Sequence, residues 1–316
     1  MLYLTEADVA RVLTMDLALD AVSAAFRKLA LEEAVNNPRQ RCQTDHVMLH
    51  VLPAAAKTLG ALGFKAYTTS KTGAQFHVTL FDPKQGGITA IIEADVLGQY
   101  RTGAASGVAT KKLARADAST VGLFGTGKQA RTQLLAVCKV RPIKKAFVYS
   151  RDAERRKTFC AQLEKETGVE IVPVEKPVEA AKGLDIVITA TAAREPVLLG
   201  EWVSEGQHLN VIGSNMNTKT ETDVEVFRRT RVVTVDSKDQ AKMEAGDFVE
   251  PLKVGALQWG NVLELAPMLV GRYPGRESPQ DVTLFKSLGL GIEDIALAVK
   301  VVELAKQQGL GKQLLA

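Results

Sequence analysis

The chain has 316 residues, 46% of them apolar, 24% charged and 5% aromatic, with 25 glycines and 11 prolines. That length suits about two domains of ~100–200 residues, and the composition excludes disordered, collagenous and disulfide-scaffold classes. Lys and Arg number 40 against 36 Asp and Glu, and the small surplus lies in short clusters such as Lys144-Lys145 and Arg155-Arg156-Lys157, a pattern of solvated faces that implies no nucleic acid.

Residues 5–34 predict an amphipathic helical region opened by a Thr5/Asp8 capping box, with Val9, Val12, Leu13, Leu17, Val22, Phe26 and Leu29 recurring at three to four residues and an interruption at Met15-Asp16. From Cys42 to Glu93 the period shortens, and strands are expected at 47–52, 63–69, 76–81 and 88–93, with Asp82-Pro-Lys-Gln-Gly-Gly87 as a hairpin turn. A mixed or antiparallel sheet follows from this. The stretch Arg101-Thr102-Gly-Ala-Ala-Ser-Gly-Val-Ala then reads as a helix of small residues.

From Ser119 strand and helix alternate, with strands expected at 121–124, 146–150, 171–173, 185–191, 209–214 and 232–236. Continuous β-branched runs between helices argue for a parallel sheet buried on both faces. The last segment, 290–315, is amphipathic and is expected to return to the N-terminal domain. The fold class is therefore α/β: a doubly wound nucleotide-binding layout over 115–292, and an α+β domain formed by both chain ends, 1–114 and 293–316.

Cys42, Cys138 and Cys160 are odd in number and match no metal-ligand spacing, so no metal is expected and a reducing cytoplasm fits. No apolar run reaches the ~18–20 residues of a membrane span, and the start of the chain carries acids where a signal peptide carries base.

The strongest local signal is Val121-Gly-Leu-Phe-Gly125-Thr126-Gly127-Lys-Gln129-Ala130. This Gly-x-Gly-x-x-Ala turn joins a predicted strand to a predicted helix and lets backbone approach a pyrophosphate at the helix N-terminus. Where an NAD site would present an acid at the end of the second strand, Ser150 and Arg151 stand. A hydroxyl and a guanidinium suit a 2′-phosphate, which favours NADPH over NADH, with Asp152 on the ribose as the competing reading. A second constellation comprises Pro38-Arg39-Gln-Arg41, Gly63-Phe-Lys65 and Arg101-Thr102, basic groups in apolar surroundings that suit an anion or structural ion pairs. His50 and His77 lie on the same sheet.

These motifs, with 185–191, Ile212-Gly213-Ser214-Asn215 backed by Glu221 and Asp223, and Leu284-Phe-Lys-Ser287-Leu-Gly289, resemble the ornithine cyclodeaminase/mu-crystallin family along essentially the whole chain. The resemblance implies a homodimer whose subunits join a Rossmann dinucleotide-binding domain (115–292) to an α+β substrate and dimerisation domain, a nicotinamide dinucleotide cofactor, and a small imino or amino acid substrate gripped by Arg39, Lys65 and Arg101 at its α-carboxylate. It also implies cofactor contacts from Thr102, Gly125, Thr126, Gly127, Gln129, Ala130, Ser150, Arg151, Thr189, Thr191, Ile212, Gly213, Ser287 and Gly289. The family holds cyclodeaminases, amino-acid dehydrogenases, imine reductases and non-catalytic cofactor binders.

Asn215 stands where the first two branches carry aspartate. An amide can orient an imine but cannot take a proton, so the chain is expected to reduce an α-imino acid, cyclic (Δ1-pyrroline- or Δ1-piperideine-2-carboxylate) or acyclic (iminosuccinate). Lys65 is the expected proton donor, and Arg41, Thr68 or Lys71 is expected to receive any second carboxylate.

Overall fold

The computed structural model describes residues 1–314; Leu315, the end of the expected C-terminal segment, and Ala316 lie outside the described residues. Two compact units emerge, one made of the residues up to Ala105 together with those from Gly289 onward, the other Ser106–Leu288. The divisions thus fall at 105/106 and 288/289, where the sequence suggested 114/115 and 292/293. The first lies inside a continuous helix of small residues, whose composition does not change where its two ends join different cores.

In chain order the first unit contains β1 (Leu2–Leu4), α1 (Glu6–Val12), α2 (Met15–Ala30), β2 (Ala34–Asn36), β3 (Gln40–Gln43), β4 (Val47–Ala56), β5 (Ala61–Ser70), β6 (Gly73–Phe81), β7 (Ile88–Glu93) and the start of α3 (Asp95–Leu113). The Thr5 side chain accepts from the Asp8 amide, closing the expected capping box. The helix break falls at Leu13-Thr14 rather than Met15-Asp16. Thr14 is extended and its hydroxyl accepts from the Leu17 amide, while Asp16 sits in the first turn of α2, where a negative charge is favoured.

The second unit runs through β8 (Thr120–Phe124), α4 (Lys128–Val140), β9 (Lys145–Tyr149), α5 (Ala153–Thr167), β10 (Glu170–Pro173), β11 (Ile186–Thr189), β12 (His208–Val211), α6 (Val224–Arg229), β13 (Val232–Val235), α7 (Lys238–Glu244), α8 (Gly246–Lys253), β14 (Val262–Glu264), α9 (Leu265–Leu269) and β15 (Thr283–Lys286). The chain then re-enters the first unit as α10 (Gly291–Gln307) and β16 (Lys312–Gln313).

In the first unit the strand order is β16-β1-β7-β6-β5-β4-β2, with β3 also on β4. It is antiparallel except for the parallel β1–β7 pair. Alternation on β5 sends Ala61, Gly63, Lys65 and Tyr67 to the buried face. Helix α10 covers that face over β4, β5 and β6, and α2 packs on α10 and β2 while burying Ala18, Val22, Ala25 and Phe26; each large apolar side chain so buried contributes about 1.5–3 kcal/mol.

The second unit is a parallel sheet of order β10-β9-β8-β11-β12-β15-β13-β14. Apolar clusters fill both faces, one around Leu123, Leu134, Ile186 and Ile188 and the other around Phe124, Val187, Leu209 and Leu284. Strands β14 and β15 were not among those the sequence predicted. Each is three or four residues long, too short to establish a period, and β15 ends in a lysine that reads as solvent-facing yet is fully buried. Among the described residues no helix is long and apolar enough to cross a membrane.

Candidate active site

The first unit buries a charge cluster. Lys65 is 3% exposed and its ammonium donates to Asp294 Oδ1 at 2.8 Å, with the rings of Tyr67 and Phe76 at 5.8 and 5.4 Å. Arg101, on α3, donates Nε to the same Oδ1 at 3.0 Å and Nη1 to Glu293 Oε2 at 2.9 Å. Arg39 Nη2 donates to the Gly289 carbonyl at 3.2 Å. Two glycines make room for these cations: a Cβ on Gly98 would lie 2.8 Å from Lys65 Nζ, and one on Gly289, at φ +77°, would lie 2.3 Å from Arg101 Nη1.

Burial pushes the Lys65 ammonium down to about 8, with Arg101 and Arg39 adding to the fall and Asp294 opposing it. Burial also works against the charge on Arg101, but Asp294 and Glu293 more than offset it and hold its pKa above the ordinary value. The structure thus brings Arg39, Lys65 and Arg101 together and adds Glu293 and Asp294, which sequence reasoning missed. Acids in a first helical turn read as partners of the helix dipole. The available signal was two adjacent acids within the apolar run of α10.

His50 also lies on the inner face, stacked on Tyr67 at 4.1 Å between ring centroids. Its Nδ1 accepts from Arg41 Nε at 3.2 Å and its Nε2 faces Thr69 Oγ1 at 3.0 Å. Burial, then Arg41 and Arg39, pushes it down to about 4, so the ring is neutral and braces Arg41. His77 pairs in register with Ala66 and Glu93 on the outer face, away from Lys65. Thr68 shares that outer alternation and Lys71 is exposed in the turn after β5, so neither reaches the cluster.

In the second unit β8 runs into Gly125-Thr126-Gly127 and α4. Gly125 has φ +108° and its Cβ would stand 2.5 Å from the Ala190 carbonyl, so only glycine fits. Gly127 is the N-cap of α4, and nothing lies within 4 Å of where its Cβ would be. There is thus open space beside the N-terminus of α4 at Gly127, Ala130 is buried, and Gln129 Oε1 is buried with no partner among the described residues. This cradle fits a dinucleotide pyrophosphate. At the end of β9, Ser150 Oγ donates to the Asp152 carbonyl, Asp152 Oδ1 caps α5 through the Arg155 amide, Arg155 Nη2 donates to the Thr126 carbonyl, and Arg151 is exposed.

Five residues expected at the cofactor have polar groups that also bond within the protein. Thr102 Oγ1 donates to the Gly98 carbonyl, the Gly289 carbonyl serves Arg39, and Ser287 Oγ donates to Asp236 Oδ2. Thr189 and Thr191 donate to Glu221. Each of these hydroxyls donates its one proton and keeps lone pairs able to accept from a ligand.

Fully buried Glu221 ties together the ends of β11 and β12. Its carboxylate accepts from Thr189 Oγ1 at 2.8 Å, from the amide and hydroxyl of Thr191 at 2.7 Å each, and from the Gly213 amide at 2.6 Å. Burial raises its pKa, whereas Lys286 and the Thr191 donors lower it. A Cβ on Gly213 would meet Glu221 Oε1 at 2.3 Å. Beneath it, Asp247 pairs with Lys286 at 2.9 Å and accepts from the Glu221 amide. Ile212 is buried, and Asn215, half-buried, follows two residues after Gly213. Glu221→Gln turns an acceptor edge toward backbone amides into a donor, so a loss of about 1–3 kcal/mol in unfolding free energy is expected. Dinucleotide affinity is expected to fall roughly tenfold by fluorescence titration, because the loops after β11 and β12 lose their common anchor.

A doubly wound parallel sheet with a glycine turn at its first strand-to-helix junction is a Rossmann dinucleotide-binding fold, here joined to an α+β unit with a buried cation cluster. Residues 1–309 match the family model of the ornithine cyclodeaminase/mu-crystallin family, and the chain belongs to that family.

Three solved structures illustrate the likeness. The Δ1-pyrroline-2-carboxylate reductase of Thermococcus litoralis, in complex with NADH and L-proline, is 37% identical with a TM-score of 0.96, covering 99% of this chain and 100% of that one. A dimeric archaeal alanine dehydrogenase with bound NAD is 32% identical, TM-score 0.93, covering 100% and 99%. The iminosuccinate reductase of Paracoccus denitrificans, in complex with NAD+, is 28% identical, TM-score 0.94, covering 100% and 99%.

Proposed function

We propose that the protein is a nicotinamide-dinucleotide-dependent reductase of α-imino acids. The observation that carries this reading is the charge balance of the buried cluster: Arg39, Lys65 and Arg101 face Glu293 and Asp294, an excess of one positive charge among these five groups. A buried excess charge is costly, and a single substrate carboxylate neutralises it. Arg39 and Arg101 hold that carboxylate, and Lys65 stands beside it as proton donor. Asn215 orients the substrate nitrogen without competing for its proton.

The cradle of Gly125, Thr126, Gly127, Gln129 and Ala130 takes the pyrophosphate, and the bound reduced cofactor supplies hydride to the C=N carbon. Orientation, a proton on nitrogen and an adjacent hydride suffice for an imine, and no strong base is required. Reductases of a cyclic and of an acyclic imino acid among the similar structures support the substrate class.

NADPH is the proposed cofactor. Asp152, the acid near the ribose position, has its carboxylate spent on capping α5, while Arg151 is exposed at the end of β9. Dimerisation is proposed through the outer face of the first unit's sheet, which carries exposed Val47 and Leu49 and the paired rings of Phe64 and Phe81. The dimeric alanine dehydrogenase supports it. A cytoplasmic location fits three free cysteines.

The test follows NADPH and NADH oxidation at 340 nm with Δ1-pyrroline-2-carboxylate, Δ1-piperideine-2-carboxylate, and oxaloacetate, pyruvate or glyoxylate with ammonia, beside ornithine assayed for ammonia release. Turnover of at least one imine is expected, with kcat/KM higher for NADPH. Silence with every imine alongside ammonia from ornithine would overturn the reading, and a ratio favouring NADH would remove the role of Arg151.

A further inference from the structure

We propose that Asp294 is the positioning residue that keeps Lys65 protonated and aimed, so that Lys65 delivers its proton to the substrate nitrogen; this rests on the imine-reductase reading above. Asp294 Oδ1 accepts from both Lys65 Nζ and Arg101 Nε, at 2.8 and 3.0 Å. Its Oδ2 is buried and has no hydrogen-bond partner among the described residues. A fully buried carboxylate with one idle oxygen is costly in a merely structural role. It is understandable where the pair must hold a charge that solvent cannot.

The surroundings of Lys65 leave no substitute. Two rings, Tyr67 and Phe76, flank it, and His50, neutral, lies behind Tyr67. Arg101 and Arg39 both repel its charge. Glu293, on the same turn of α10, has Oε2 engaged by Arg101. Asp294 is thus the carboxylate in contact with the ammonium. Gly98 fixes the aim from the other side, since any Cβ there would push Nζ away.

In the reaction, one Lys65 N–H bond breaks as an N–H bond forms on the imine nitrogen. The carbon takes hydride from the reduced dinucleotide, and Lys65, left as a neutral amine, recovers a proton from water. Activity therefore requires the charged form of Lys65, and kcat declines as pH rises past about 8. Removing the Asp294 charge removes what holds the ammonium up, so the decline moves to lower pH.

The experiment compares kcat–pH profiles of the wild type and Asp294→Asn, with dinucleotide affinity and thermal unfolding as controls. A displacement of the alkaline limb by about one pH unit or more to lower pH is expected, the loss in kcat being roughly fivefold or more at pH 8 and slight at pH 6. A lowered kcat with an unmoved limb would overturn the proposal.

NMR of lysine labelled at Cε, with the Lys65 signal assigned from a Lys65→Met sample, reads the same midpoint without turnover. If the wild type reduces no imine, the functional reading fails while this titration still decides the effect of Asp294. Should Asp294→Asn not fold, Gly98→Ala, which keeps every charge and replaces a helical glycine, takes its place. A drop in kcat at all pH values is expected, and undiminished kcat would count against the aiming role.

Discussion

Replacing Lys65 by methionine is expected to lower kcat by on the order of 10³-fold and to leave dinucleotide affinity within about twofold of wild type. The cause is separable from folding. Asp294 keeps its bond from Arg101 when Lys65 is gone, and a methionine occupies much of the volume between Tyr67 and Phe76, so the inner face of the sheet stays filled. Steady-state kinetics on whichever imine the wild type reduces, with dinucleotide fluorescence titration on the same sample, checks both halves. Undiminished kcat would remove Lys65 from the chemistry, and a parallel loss of dinucleotide affinity would mean that it supports the fold.

Arg101→Met is expected to have the larger effect on stability. Arg101 bonds both acids of α10, and without it Glu293 loses a bond to Oε2 while Asp294 keeps that from Lys65. Breaking a buried pair by removing one member costs about 3–5 kcal/mol, roughly a 10 °C fall in unfolding midpoint at this size. The half-saturating imine concentration should also rise 100-fold or more, because a carboxylate contact is lost. The double variant Arg101→Met, Glu293→Gln separates the two effects: calorimetry should show a partial return of stability, since the carboxylate that lost its Arg101 bond is now neutral while Arg39 and Lys65 again exceed Asp294 by one charge, whereas kinetics should show no recovery. Full additivity would mean that the Arg101–Glu293 bond contributes nothing.

Much of this was legible in the residues because each signal had a local cause. The capping box at Thr5, the strand ends around Asp82 and the glycine turn at Gly125 are decided by hydrogen bonds and backbone angles within a few residues. Arg39, Lys65 and Arg101 were legible for another reason, since a cation within an apolar pattern stands out. What stayed hidden depends on partners far along the chain. Asp294 meets Lys65 across 229 positions, and Glu221 reaches Thr189 across 32. Neither spacing has a period to read. The acceptors of the Thr189 and Ser287 hydroxyls, Glu221 and Asp236, become neighbours only once β11 and β15 take their places in the sheet.

The return of the chain into its first unit sets the order in which the protein matures. Strands β4 to β7 and helix α3 leave the ribosome early, carrying Lys65 and Arg101 with no counter-charge and an inner face without its cover. The second unit, contiguous from Ser106 to Leu288, has all its strands before α10 is made. Only when α10 docks on β4, β5 and β6 do Glu293 and Asp294 arrive, so core closure and site assembly are one late, long-range event. Until then the nascent polypeptide exposes an apolar sheet with embedded cations, a surface that chaperones would have to shield. A message truncated after the codon for Leu288 would therefore yield a Rossmann unit with an orphaned, aggregation-prone N-terminal segment, and no partial activity.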